Sequence, residues 1–332
     1  MHYRSKIFEI NVPPSVLNAR DLPNATALLT AAYIVFTLSL WWVKWSYPSL
    51  EANADATRAP VFSPILQLVP AQTLYDPWSL VLSNLVDVKW WKIGVDLLNL
   101  VVGGSFIERN WNSSWELVRF LLVIGSVSNL VVVLVTILSS AVFPKVRLDT
   151  PLDGNYTMLV GFCIVYKQLI PETTIFHIRN LPLVSKNFRF KLLPIFVLVV
   201  STVTQLMFLR HFSELLSIWV TFLCSWVYLR FFQVLPPAIT GAASRSLVGD
   251  ASDTFQLIYF FPDIIKPFLS PIFNMCYWVF CVKLRIREPF NEDDVDTGNS
   301  LAEQRGAKVI TSQVEERRRK LALQVLQERG TV

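Results

Sequence analysis

Six apolar stretches constrain this 332-residue chain more than any other feature. They cover residues 27–45, 88–107, 118–142, 154–170, 192–209 and 215–232. Their lengths approach the roughly 17–25 residues that cross a hydrocarbon core. In lipid every backbone N–H and C=O must bond within the protein, which makes such stretches helices rather than open strands. Composition points the same way, with 53% of residues hydrophobic and 17% charged. Soluble domains carry about 25% charged residues, so a single water-facing core is excluded. The expected fold class is an all-α integral membrane protein: a six-helix bundle at 27–232, an N-terminal segment at 1–26 and a tail at 233–332.

The connections divide further. The first apolar stretch follows Asp21-Leu22-Pro23-Asn24, a helix-start signal, and reads as an anchor retained in the mature protein. Residues 46–87 form a long but apolar loop broken by Pro60, Pro64, Pro70 and Pro77. Such a loop lies in the membrane interface or folds as a luminal cap, and both readings stand. In the tail, 233–254 is a Gly/Ser/Ala/Pro linker. Residues 255–284 are apolar but carry Pro262, Pro267 and Pro271. That pattern favours an interfacial, re-entrant or partner-bound segment over a seventh span. Residues 288–310 are acidic, then mixed, and read as flexible. Residues 312–329 read as a helix with a Ser312/Glu315 capping box. Val314, Leu321 and Val325 form its apolar stripe, which suits a partner or a membrane surface, the alternative being a solvated helix.

Charge placement sets orientation and partners. Residues 234–332 hold 12 basic and 12 acidic residues, so the net +5 of the chain sits among the apolar stretches. Basic residues near span ends number nine on the N-terminal side of the membrane and five on the other; counting those just inside the spans gives eleven against seven. The excess places both termini in the cytosol. No stretch interleaves basic and aromatic residues as a nucleic-acid binder would, so the partner implied is the lipid bilayer. Four cysteines and three histidines lack metal-ligand spacing, and neither metal nor cofactor is expected.

Three motifs stand out. The second stretch ends Gly103-Gly104-Ser105-Phe106-Ile107-Glu108-Arg109-Asn110-Trp111. The fourth opens Gly154-Asn155-Tyr156-Thr157 with Gly161 following. The sixth carries Ser225-Trp226-Val227-Tyr228-Leu229-Arg230-Phe231. In this order they resemble the rhomboid superfamily of intramembrane proteases. Leu223–Phe231, Gly249-Asp250, Phe260-Phe261-Pro262 and the tail run Glu316-Arg-Arg-Arg-Lys-Leu-Ala-Leu look like one branch of it, the transmembrane protein 115 family. That resemblance implies a rhomboid-like bundle without protease activity and residence in Golgi membranes. It further implies a role in Golgi-to-ER retrograde transport, self-association, and contact with coat proteins or the conserved oligomeric Golgi tethering complex.

Residue by residue, the resemblance puts Tyr156 in the slot of the nucleophilic serine and about Ile218 in that of the histidine. Isoleucine cannot accept a proton, and a phenol with a pKa near 10 is a poor nucleophile without a base beside it. His211 with Ser213, and His177, are the remaining hydrolase candidates, and a solvated loop position explains His177 more simply. Lys92 and Asp96, one helical turn apart, read as a local ion pair near the interface. No matching acidic chain shows on the other stretches, which argues against an ion or proton path. Gly103, Gly104, Gly154 and Gly161 let neighbouring helices approach closely. Glu108 with Arg109 caps the end of the second helix. Trp226 packs, and Arg230 anchors the sixth helix at the interface.

Overall fold

The computed structural model describes residues 2–4, 8–11, 22–47, 60–143, 146–152, 156–171, 176–178, 190–209, 212–234, 248–262, 264–285 and 289–307. Gly154, His211 and the 312–329 stretch with Val314, Leu321 and Val325 lie outside them. The chain forms two compact units, Met1–Gly249 and Asp250–Val332.

Among the described residues the first unit holds six longer helices, beside a short one at Ser79–Leu82 in the α1–α2 loop. α1 is Asn24–Ser46. α2 covers 90–111 as a continuous run of Trp90–Leu98, Asn99–Gly104 and Ser105–Trp111, the middle part widened into a π turn. α3 is Ser114–Val142 and α4 Thr157–Leu169. α5 covers 190–209, and α6 is Phe212–Phe231. Four of these helices are long and apolar enough to cross a membrane: α1, α3, α5 and α6. α2 carries Lys92, Asp96, Glu108 and Arg109, and α4 is short. Leu28, Val35, Leu38 and Trp42 stand exposed along α1. A lipid-facing surface accepts such residues at no hydrophobic cost.

Side-chain contacts sort the helix ends onto two faces. On one face the Glu108 carboxylate at the end of α2 accepts from the Ala25 and Thr26 N–H groups at the start of α1 (3.1 and 2.8 Å). Ser114 at the start of α3 donates to the same carboxylate at 2.5 Å. A three-stranded antiparallel sheet joins β1 (His2–Arg4) and β2 (Phe8–Asn11) to β3 (Phe176–Ile178), which follows α4. Gln168 near the end of α4 donates to Gln233 just past α6 (3.0 Å). On the other face Leu152, before α4, bridges Leu68 of the α1–α2 loop. The helices therefore alternate in direction, and the N-terminal strands share a face with the end of α6. The sheet is an addition to the expected helical bundle: its third strand is distant in sequence and gives no local signal.

Between the faces the core is aromatic. Phe120 of α3 packs edge-on to Trp111 (centroids 5.8 Å) and beside Phe162 of α4 (6.4 Å) and Tyr228 of α6 (6.0 Å). Glycines allow this density. A Cβ on Gly103 would stand 1.9 Å from the Tyr166 hydroxyl oxygen, and one on Gly161 3.1 Å from Phe120 and from Ser225 Oγ. One on Gly104 would meet nothing closer than 3.5 Å. The described part of the α1–α2 loop folds onto the bundle. Leu68 packs with Val132, Val133 and Leu152, and Phe62 and Val86 pack with Leu40. Asn129 of α3 donates to the Leu80 carbonyl and Ser83 Oγ (2.9 and 3.0 Å). Leu74, Tyr75 and Trp78 remain exposed at the loop tip.

The second unit contains α7 (266–283, comprising Lys266–Tyr277 and Trp278–Lys283) and α8 (Glu292–Gln304). α8 lies where sequence suggested flexibility. Its first turn holds Glu292, Asp293 and Asp294, which suit the positive end of a helix dipole. Gly298, Leu301 and Ala302 are buried, and Arg305 pairs with Asp250 at 3.2 Å. These tertiary contacts order a segment that composition alone leaves soluble.

The glycine contacts predict opposite outcomes for neighbouring positions. Gly103→Ala loses roughly 1–3 kcal/mol by overpacking against Tyr166. Gly104→Ala is neutral or stabilising by up to about 1 kcal/mol, because alanine favours helix and the space is ordinary. Thermal unfolding in detergent separates the two.

Candidate functional site

Two buried polar sites organise the first unit. The simpler one is Glu108. Helix α1 begins after Pro23, which has no side-chain cap, so its first N–H groups need an acceptor. Glu108 supplies it from another helix: Oε2 accepts both the Thr26 N–H and the Thr26 hydroxyl, each at 2.8 Å, while Oε1 takes the Ala25 N–H. Sequence expected Glu108 to cap its own helix. A carboxylate at a helix C-terminus is disfavoured by the dipole, whereas at the start of α1 it is favoured. Glu108 follows the apolar stretch that ends at Ile107. Burial alone would raise its carboxyl, but the bonds from Ser114, Thr26 and Ala25 outweigh it and hold the group below the usual carboxylate value.

The second site lies toward the opposite face and draws on α1, α2, α4, α5 and α6. Asp87, just before α2, accepts the Tyr33 hydroxyl of α1 at 2.7 Å and pairs with Lys92 Nζ at 2.8 Å. The Lys92 ammonium sits 4.3 Å above the Tyr156 ring at the start of α4. The Tyr156 hydroxyl donates to Glu214 Oε2 of α6 at 3.3 Å. Gln205 of α5 donates to the same oxygen at 2.7 Å, and Lys89 pairs with Glu214 Oε1. Asp96, one turn along α2, is completely buried. Lys92 is 1% exposed and Asp87 3%. These charges are inside protein, not snorkelling at an interface. Burying the Asp87–Lys92 pair is tolerable because the two charges face each other and Asp87 also accepts from Tyr33.

Lys92 and Asp96 are thus members of a larger cluster in which Asp87 is a direct partner of Lys92. Asp87, Glu214, Tyr33 and Gln205 escaped sequence reading. Asp87 precedes the apolar stretch, and Glu214 stands just outside the sixth stretch as its apolar run defines it. The available signal was the recurrence of ionisable residues at the same end of successive stretches. Tyr156, in the serine slot, is 4% exposed and lies inside this cluster. Ile218, in the histidine slot, is 2% exposed on α6, one turn beyond Glu214. The described side chains of this arrangement hold charges and hydroxyls in place, and none of them presents an imidazole to Tyr156. Among the described residues no group of histidine, cysteine, aspartate or glutamate is placed to hold a metal ion.

On α6, Trp226 is half-buried with its ring 5.8 Å from Phe231. Arg230, expected as an exposed anchor, is buried at 7% exposure. Tyr228 donates to Glu116 of α3, and Arg119 lies 5.7 Å from the Tyr228 ring.

A family model described as "Eukaryotic integral membrane protein (DUF1751)" matches residues 27–331. A Saccharomyces cerevisiae protein named "Transmembrane protein 115 homolog" is 53% identical over 99% of both chains. The chain belongs to the transmembrane protein 115 family. "Rhomboid-like protein 19" of Arabidopsis thaliana is 27% identical, over 67% of this chain and 68% of that protein. "Transmembrane protein 115" of Mus musculus is 28% identical, over 76% of this chain and 67% of that one. No solved structure matches the chain. Membership ties the buried cluster and the Glu108 clamp to an integral membrane protein of rhomboid-like kind.

Two predictions follow from these contacts. Glu108→Gln lowers stability by roughly 2 kcal/mol, since hydrogen bonds to a charged group contribute about 1.5–3 kcal/mol. Because the native carboxyl is held low, its contribution is complete above the unfolded-state value and fades as pH falls through the native one, which unfolding measured across acidic pH tests. Lys92→Met strands the buried Asp87 carboxylate and costs about 3–5 kcal/mol. Lys92→Met with Asp87→Asn costs less than the sum of the single changes, and additivity in that double-mutant cycle would rule out the pairing.

Proposed function

We propose that this family member is a rhomboid pseudoprotease of Golgi membranes that acts in Golgi-to-ER retrograde transport. The observation that carries the non-catalytic half is the setting of Tyr156. Its hydroxyl is engaged by Glu214, its ring lies under Lys92, and an isoleucine occupies the position where the resemblance puts a base. The proposed topology is six crossings with both termini in the cytosol. The alternating helix directions and the basic residues near the N-terminal face support it. The transport half rests on the resemblance in the sixth-stretch and tail motifs. On this reading the bundle self-associates and recognises membrane segments, while the tail, including Val314, Leu321 and Val325, recruits coat proteins or the conserved oligomeric Golgi complex.

The test is a chain lacking residues 312–332, expressed beside the full-length protein in cells deprived of their own copy. The truncated chain reaches the same membranes but fails to restore recycling of a retrograde cargo, and coat or tethering proteins are captured with the full-length chain alone. Normal recycling by the truncated chain would sink the tail's role. A second reading, ion or lipid handling, is favoured by one observation: buried charges from several helices meet around Lys92. Flux through reconstituted vesicles that is abolished by Lys92→Ala with Asp96→Ala would favour it. The same double change leaves retrograde recycling intact under the transport reading, provided that the bundle still folds.

A further inference from the structure

α7 stands out because it is apolar and buried by none of the described residues of its own unit. None of its residues is buried. Phe268, Ile272 and Met275 recur at i, i+4 and i+7, so they share one face, and they are 75%, 55% and 69% exposed. Lys266, Ser270 and Phe273 recur at i, i+4 and i+7 on the opposite side and are half-buried, while Asn274 is exposed. Lys266 Nζ lies 4.6 Å from the Tyr259 ring, and Phe273 packs on Phe261 at 5.8 Å. The bare apolar face therefore points away from the only contacts shown for this helix.

We infer that this face lies in the lipid bilayer, with α7 parallel to the membrane plane. Two observations choose lipid over a protein occupant. The first is charge. From Ile264 to Arg285 the chain carries Lys266, Lys283 and Arg285 and no acidic residue. Basic residues beside an apolar face suit anionic headgroups. The second is the aromatic content of the helix. Tyr277 and Trp278 are about half exposed, and Lys283 Nζ lies 5.7 Å from the Trp278 ring. Tyrosine, tryptophan and lysine are the residues that settle at the headgroup level. A crossing is disfavoured because Pro271 and Asn274 sit mid-helix, and α7 does not reach the apolarity of the four crossing candidates.

The test uses the full-length protein reconstituted in vesicles of phosphatidylcholine with phosphatidylserine. Single nitroxide labels replace Phe268, Ile272, Met275, Ser270 or Asn274 in turn, on a chain with its native cysteines changed to alanine. Collision with oxygen and with a water-soluble nickel chelate reads the depth of each label. Labels at 268, 272 and 275 are expected to be oxygen-rich and nickel-poor at one common shallow depth, that at exposed 274 the reverse, and that at 270, on the side turned to its own unit, poor in both. Changing Lys266, Lys283 and Arg285 to glutamine is expected to raise nickel access at all three apolar positions. Nickel access at every position would place the helix in water and overturn the inference. Depth that increases steadily along the helix would mean a crossing and overturn it. Immobile labels at 268, 272 and 275, reached by neither reagent, would mean a second copy or another part of the chain covers the face, and would overturn it too.

Discussion

The first unit depends on neutralising charges that its helices carry into a low-dielectric interior. An unpaired ion there costs several kcal/mol, so each buried charge must find a partner as the helices assemble. The Asp87–Lys92 pair is the centre of this arrangement. Its carboxylate also accepts from Tyr33, and its ammonium also covers the Tyr156 ring. Through Tyr156 and Glu214 the constraint reaches α4, α5 and α6. Apolar helices in lipid have little to fix their rotation about their own axes, because lipid and leucine are alike. A chain of directional contacts supplies that fix. The cluster therefore specifies which face of each helix turns inward.

The Glu108 clamp does similar work at the other face. Helix starts leave N–H groups without intrahelical partners, and within or beside a membrane water is not a dependable substitute. One carboxylate satisfies the start of α1 and takes a hydroxyl from the start of α3, so three helices are registered by one side chain. Between the two polar sites the packing is aromatic, and it is close because Gly103 and Gly161 present no side chain to α4, α3 and α6. Polar ends and an aromatic middle thus divide the labour: the ends set direction and rotation, and the middle sets distance.

This division explains what could be read from sequence. Helices in lipid advertise themselves through runs of apolar residues, so the all-helical membrane fold and the family were legible from α1, α3 and the α6 motif. The polar sites were less so. Tyr33 meets Asp87 across 54 positions and Tyr156 meets Glu214 across 58, and no local pattern records such meetings. Lys92 and Asp96 are legible because they are four residues apart. Asp87 is not, because it precedes the apolar run, nor is Glu214, which sits at the lip of one. The sequence alone points Glu108 to its own helix, since the acceptor need of α1 becomes visible only once α1 and α2 are side by side. α8 is hidden for the same reason: its order comes from Asp250 and Arg305, 55 positions apart.

On the proposed pseudoprotease reading, the buried cluster bears on how a reaction is lost without losing the fold. A serine–histidine pair contributes little to packing, and replacing it by Tyr156 and Ile218 adds apolar volume and one ring. The ring is stabilised by the Lys92 cation above its face, an interaction of about 0.5–2 kcal/mol that serine could not make. The hydroxyl keeps a buried acceptor in Glu214, so no polar atom of Tyr156 is stranded. The same residues that remove a nucleophile thereby complete the charge network that orients the helices. Reinstalling serine and histidine would then have to overcome two deficits at once, an absent activating geometry and a lysine deprived of its aromatic cover.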